Sequence, residues 1–491
     1  MSHVVVVGAG LAGLSTACHL IGRGDRVTVL EAADRPGGRA GALAQDGFTF
    51  DTGPVVLTMY GLLAEAFAAA GARLEDHLRL QRLDPAYRAV FHDGSVLHVR
   101  HGHEAMRDEI ATTCGAKDAA AFDDFVRWLN ALYAAELPHF IDVNFNSPLD
   151  LVRHPGAALK LLRLGGFGRL GPAIRRRFDD ERLNRMFSFQ SMYAGLAPAY
   201  ALAIYAVITY MDSIEGVWFP DGGMRALGPA LAEAVTAAGG VVRCQAPVER
   251  VLRRADGAVT GVRLTDGETV AADAVVLTPD LPVAYDTLLD LRRPRVLRGR
   301  PRYSPSCVVW HAGVEGEPEP DAAHHTIHFG EDWDGAFDDL LTRGTLMRDA
   351  SRFVCRPSVH DPSAAPAGRQ VLYVLEPTPN LVDGELDWSA SGRSAMRERL
   401  HGFVASAGYP ADVVTEQLVT PVDWLEQGMA AGTPFALAHT FGQTGPFRPA
   451  NVRREAPGLV FAGSGTTPGV GIPMVLISGK LAAQRVAEAL R

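Results

Sequence analysis

The chain has 491 residues, 47% of them apolar and 21% charged, and a formal net charge of −9 at pH 7. That length exceeds the ~250–300 residues that one hydrophobic core usually serves, so two or more domains are expected. The composition excludes a fibrous or disordered chain, and the acidic balance argues against general nucleic-acid affinity, which needs a basic surface.

From His3 to Leu30 the sequence reads as strand, tight turn, helix, strand. Val4–Val7 is a β-branched, fully apolar run suited to a buried parallel strand. Although the start is apolar, it lacks the basic region of a signal peptide. Gly8, Gly10 and Gly13 then give G-x-G-x-x-G. The first permits a sharp turn, the second lets a pyrophosphate approach the backbone, and the third lets helix and strand pack closely. The second strand ends in Glu31, where a carboxylate can accept hydrogen bonds from ribose hydroxyls and repel a 2′-phosphate. Gly37, Gly38 and Arg39 follow as a turn that is either simply basic or a set of charged donors beside a pyrophosphate.

After "FTFDTGPVVLT" come a helical stretch and short strands, with a hairpin signal at Asp93-Gly94. Asp51 either orders its own loop or lies near the site. An alanine-rich helical region follows, from about Gly102 to Glu136. These elements break the β-α-β alternation, so a second domain is expected to begin near Arg79. Leu151–Phe178 carries seven Lys/Arg and no Asp or Glu, and reads either as a solvated face or as a surface lying on anionic lipid. Regular α/β order returns with Gly222-Gly223, an amphipathic helix from Met224 to Ala238, a strand from Val241, antiparallel strands with turns at Asp256-Gly257 and Asp266-Gly267, and "AVVLT". Glu315–Asp321 reads as an exposed acidic loop. In "AHHTIHF" an extended strand would point His324 and His325 to opposite faces, so no metal site is expected.

"GLVFAGSGTTPGVGIPMVLISGK" is a second strand, glycine-rich turn and helix, with Gly463, Gly465, Gly469 and Gly471 in the turn. No acid-ended strand follows it, as a second dinucleotide site would require. The loop is therefore expected to complete a site already begun. The five cysteines show no C-x-x-C pair and read as buried thiols of a reducing compartment. No run is long enough to span a membrane, and a cytoplasmic protein is expected.

The order Glu31 then Gly37-Gly38-Arg39 resembles the FAD enzymes that include amine oxidases, protoporphyrinogen oxidases and carotenoid desaturases. "FSFQSMYAG", "GVWFPDGGM", "AHHTIHFG", "FRPAN" and "GSGTTPGVGIPMVLISGKLAA" together look like the bacterial and fungal phytoene desaturases. The stretch "QTGPFRP" and Thr467 depart from that branch's usual residues. The resemblance implies an α/β chain with a Rossmann-like FAD-binding domain of the glutathione-reductase or amine-oxidase type, a mixed α+β substrate domain and a helical membrane-associating region. It divides the chain into 1–78, 215–290 and 446–491 for FAD, and 79–214 and 291–445 for substrate, with the basic helical region at about 103–214.

The same resemblance implies FAD contacts at Gly8, Gly10, Leu11, Ala12, Gly13, Glu31, Ala32, Gly37, Gly38, Arg39, Gly53, Pro54, Val248, Gly463, Gly465, Gly471, Ile472 and Pro473. It marks His324, His325 and Arg448 as candidates on the substrate side. The implied reaction removes two hydrogens from a lipophilic carotenoid precursor, phytoene towards neurosporene or lycopene, by hydride transfer to FAD and proton loss. Oxygen or a quinone would accept the electrons, and the protein would lie peripherally on a membrane surface. Another carotenoid or isoprenoid substrate, a flavin amine oxidase, and a flavin-bearing binding protein without turnover are the alternatives.

Overall fold

Val4–Val7 is buried because the strand His3–Val7 lies at the centre of five parallel strands. Their order is Leu459–Phe461, Ala274–Leu277, His3–Val7, Arg26–Leu30, Val241–Arg243. The computed structural model describes all 491 residues, apart from the side chains of Val152 and Arg153. Strand Leu459–Phe461 pairs in parallel with Ala274–Leu277, which brings the second glycine-rich turn to the same sheet edge as the first. The two helices that follow these turns, Leu11–Gly22 and Ile472–Ala489, pack against each other. They touch at Gly479, where a Cβ would lie 2.6 Å from the Ala12 carbonyl oxygen and 2.8 Å from the Ser15 side chain.

A second sheet of seven strands runs in the order Val413–Val419, Ser306–Glu315, Arg369–Thr378, Arg352–Cys355, His325–His328, Tyr87–Val90, Val96–Val99. It is antiparallel except where Tyr87–Val90 meets His325–His328. Helix Ala390–Ser406 covers one face, packing Met396, Leu400 and Val404 on Val308, Trp310 and Val314. The other face, with Val309, Cys307 and Tyr373, turns towards the interior of the molecule. Asp93-Gly94 forms the expected hairpin, Gly94 having φ +81°.

Leu151–Phe178 is broken as its glycines suggest, into the helices Pro155–Arg163 and Leu170–Arg175 with Gly165 at φ +72° between them. The long helix Ala116–Glu136 packs on Pro155–Arg163. Among the described residues, no helix is long and apolar enough to cross a membrane.

Candidate functional site

At Gly8, φ is +101° and a Cβ would lie 2.2 Å from Thr278 Oγ1, so the first turn closes against the end of the neighbouring strand. At Gly13 a Cβ would stand 2.0 Å from the Gly8 carbonyl oxygen; glycine there lets the helix press on the turn. The "PGGR" turn lies across this loop. Gly37 N–H donates to the Ala9 carbonyl at 2.9 Å, and a Cβ on Gly38 would come 2.9 Å from Gly10 Cα. Glu31 ties the two turns, accepting from Ala9 N–H at 2.6 Å and Ala33 N–H at 2.9 Å.

Arg39 reaches the second glycine loop. It donates to the Pro434 carbonyl at 2.8 Å and to Ser464 Oγ at 3.1 Å, with Asp280 at 3.8 Å. Gly463 N–H donates to Ser478 Oγ at 3.0 Å. At Gly471, φ is +112° and a Cβ would meet nothing closer than 4.0 Å, so the backbone ahead of helix Ile472–Ala489 faces open space. A helix N-terminus beside open space favours a polar or anionic group.

Both loops line one cavity of about 1620 Å³. Typical ligand pockets hold ~300–1,000 Å³, so this one has room for two molecules. The residues expected to contact the cofactor all line it, except Gly13 and Gly465. Those two act by packing, Gly465 against Leu281, where a Cβ would lie 2.6 Å from that residue's Cβ. A stacked pair of glycine turns, a carboxylate at the ribose position and an open helix N-terminus fit an extended dinucleotide. Beyond the second loop the lining is mainly apolar, with Phe189, Met192, Ile208, Trp333 and Phe337 among it.

The residues marked as substrate-side candidates lie elsewhere. His324 and His325 are buried behind the cavity wall and do not line it. The strand begins only at His325, so the extended-strand expectation fails. The two rings do not diverge but stand 4.5 Å apart between centroids. Burial pushes His325 down to about 4 and His324 well below the usual imidazole range, leaving neutral rings. Both ring nitrogens of His325 face backbone carbonyls, Ala86 at 3.2 Å and Val55 at 3.1 Å, and the neutral ring's one N–H donates to one of them, which holds the ring between the Gly53–Val55 loop and the second sheet. Ligand atoms of His324, His325 and Cys355 do lie within 4.8 Å of one another. The nitrogens of His325, however, are already turned to those carbonyls, and burial holds the Cys355 thiol protonated.

Arg448 also fails as a substrate-side group. Its guanidinium is fully enclosed and donates to the carbonyls of Thr466, Ser464, Leu437 and Gln443 at 2.7–3.4 Å. It ties down the second loop. Asp51 orders its loop by accepting from the N–H groups of Met224 and Arg225 at 3.1 and 2.9 Å and from the Arg225 guanidinium.

Two carboxyls line the cavity beyond the loops, Glu136 and Asp212, and sequence reasoning missed both. Glu136 is a single acid inside the apolar helical run "LYAAEL", and that isolation was an available signal; Asp212, in "ITYMDSIE", has Glu215 three residues on and offered none. Glu136 ends helix Ala116–Glu136, and its Oε1 has no hydrogen-bond partner. Burial alone pushes it well above the usual carboxylate range. Asp212 accepts from Ser213 Oγ at 2.8 Å and from Gln190 Nε2 at 3.4 Å; burial raises it to about 7.

The sequence profile described as "Flavin containing amine oxidoreductase" matches residues 11–487. The "Phytoene dehydrogenase" of Streptomyces griseus is 52% identical over 491 residues, 99% of this chain and 95% of that one. The "zeta-carotene-forming phytoene desaturase" of Myxococcus xanthus is 36% identical, covering 99% and 93%. Among solved structures, an oxidoreductase from Methanosarcina mazei superposes with a TM-score of 0.63 at 17% identity, over 99% of this chain and 100% of that one. That last likeness is one of fold.

Proposed function

Because the chain belongs to the flavin containing amine oxidoreductase family and is an FAD-dependent oxidoreductase, we propose that it desaturates a carotenoid precursor, phytoene, towards neurosporene or lycopene. The observation that carries this reading is the apolar half of the cavity, continuous with the dinucleotide half. A hydrocarbon has no polar head to grip, so shape and length must select it. The names of the two relatives support the same substrate class.

Residues 1–78, 215–290 and 446–491 form the cofactor half in this reading, and 79–214 with 291–445 the substrate half. Backbone groups of Gly8, Gly10, Leu11, Ala12, Gly37, Gly38 and Arg39 take the diphosphate. Glu31 and Ala32 take the ribose, and Val248 the adenine. Gly53, Pro54, Gly463, Gly471, Ile472 and Pro473 border the flavin ring and its chain. When bound, FAD supplies the two-electron oxidant. The protein supplies a dry, shaped site and holds the allylic carbons against it. Anaerobic incubation of the FAD-loaded protein with phytoene in liposomes is expected to bleach the flavin while long-wavelength polyene bands appear. An oxidised flavin with no new bands would overturn the substrate.

The substrate route is a membrane surface. Leu162 and Phe441 are 61% and 62% exposed, and both, with the exposed Phe167, also line the cavity, so its mouth lies among exposed apolar side chains. Leu149, Leu159 and Tyr200 extend this apolar rim, and Lys160, Arg163 and Arg169 add exposed positive charge. Apolar insertion with basic flanks suits an anionic lipid surface. Arg177 is not part of that surface, since its guanidinium packs 3.9 Å from the Trp128 ring centroid. The protein would lie peripherally on the cytoplasmic side, passing electrons to oxygen or a quinone. Substituting both Leu159→Glu and Leu162→Glu is expected to move the protein from the pellet to the supernatant with anionic liposomes, at unchanged FAD content. Unaltered co-sedimentation would reject this surface.

A further inference from the structure

We propose that Asp212 is the catalytic base that removes the proton in the desaturation, an assignment that rests on the carotenoid reading above. Chemistry at an unactivated hydrocarbon chain needs somewhere for a proton to go, and the wall beyond the glycine loops offers few acceptors. Among the described residues lining the cavity, the ionisable carboxyls are Glu31, Glu136, Asp212 and Asp280. Glu31 is bound to the first glycine turn. Asp280 faces Arg39 and accepts from Ala430 N–H at 3.0 Å. Of the carboxyls Glu136 and Asp212 remain, and His439, the histidine in the lining, is pushed by burial well below the usual imidazole range and is too weak a base.

Their surroundings separate them. Glu136 has an unpartnered Oε1 and only burial acting on it, so it stays protonated and cannot accept. Asp212 is 2% exposed and sits in the wide helical turn Tyr210–Glu215. Ser213 Oγ donates to its Oδ1 at 2.8 Å, while Oδ2 has only the long 3.4 Å contact from Gln190. One oxygen is thus held and the other is left to accept. The groups acting on Asp212 are Ser213, Gln190 and backbone N–H groups; Tyr193 and Tyr87, the latter stacked on neutral His325, sense its charge. Among the described residues no cation pairs with Asp212, and burial raises it to about 7, where a general base works best. Two cavity carboxyls pushed to different ranges mark which is acid and which is base. Met211, beside it, packs on Met59 with Met474 of the second glycine loop's helix, which sets the turn next to the cofactor half.

The balance is as follows. One allylic C–H bond would break with its hydride leaving to the two-electron oxidant, which FAD would supply when held by the glycine loops. The neighbouring C–H bond then breaks, its electron pair forms the new C=C bond, and its proton passes to Asp212 Oδ2. The hydrocarbon loses two electrons and two protons' worth of hydrogen in all, and the ionised carboxylate steadies the cationic carbon in between.

Asp212→Asn tests this in the FAD-loaded protein. The raised value means that ionisation weighs against the folded state as pH rises from the ordinary carboxylate range through about 7, so the neutral amide should fold at least as well. Expected are full FAD content, unchanged quenching of flavin fluorescence by liposomal phytoene, and polyene formation slowed about 100-fold or more. The wild-type rate should rise with pH through about 7, and Asp212→Asn should lose that rise. Glu136→Gln should keep it. An Asp212→Asn variant matching an active wild type in rate and pH profile overturns the assignment alone, as does loss of the rise in Glu136→Gln instead. A wild type that leaves phytoene unchanged overturns the carotenoid reading and the assignment with it.

Discussion

Replacing Arg448 by methionine is expected to cost about 4 kcal/mol of folding stability and to strip the enzyme of most of its FAD. The guanidinium is 3% exposed and is held by four backbone carbonyls at the base of the second glycine loop. Burial lowers it only to about 10, so it stays charged at neutral pH. Each carbonyl left without a donor in the interior costs about 1 kcal/mol or more. Methionine fills much of the volume but donates nothing. With Ser464 and Thr466 released, the loop that carries Gly471 loses its anchor. Thermal denaturation and the flavin-to-protein absorbance ratio read the two effects, and Arg448→Lys, charged but without the planar fork, should fall between. An unchanged melting temperature with full flavin would mean that the loop is held by something else.

Gly13→Val should be more severe, yielding flavin-free and largely insoluble protein. Its Cβ would stand 2.0 Å from the Gly8 carbonyl oxygen and 3.3 Å from Val6. A helix can sometimes relieve such a clash by moving, but Leu11–Gly22 is also wedged against Gly479, where the backbones nearly touch. Overpacking commonly costs ~1–3 kcal/mol where relaxation is possible; with both sides blocked, more than about 3 kcal/mol is expected. Gly61→Ala is the matched control, because a Cβ there meets nothing within 4 Å. It lies in helix Tyr60–Ala69, where alanine should be neutral or slightly stabilising. Equal soluble yield and flavin content for Gly13→Val and Gly61→Ala would refute the packing role.

The glycine loops were legible in the sequence because their constraints are local. Gly8, Gly13 and Gly471 are demanded by turns and contacts within a few residues of chain, or by one neighbouring strand. Asp212 and Glu136 were not legible as cavity residues, since they reach one wall only when helix Ala116–Glu136 packs on the turn Tyr210–Glu215, some seventy residues away in the chain. His324 and His325 were marked by resemblance alone; the alternation that would have set their rings apart fails because the strand starts only at His325. Arg448 misled for a different reason. Its partners are carbonyl oxygens, which every residue carries, so no side-chain spacing announces them.

The edge strand Leu459–Phe461 and the helix Ile472–Ala489 complete a sheet whose first strand is His3–Val7. About 430 residues of chain lie between Leu30 and that edge strand. At ~5–20 residues per second on the ribosome, the opening turn and helix wait on the order of 20–90 s for their partner. During that interval the apolar side of Leu11–Gly22 has no final cover, and the cofactor cradle has only one of its two loops. Flavin capture therefore waits until both loops have been made, and a supply of free flavin at that moment bears on how much protein survives to become enzyme.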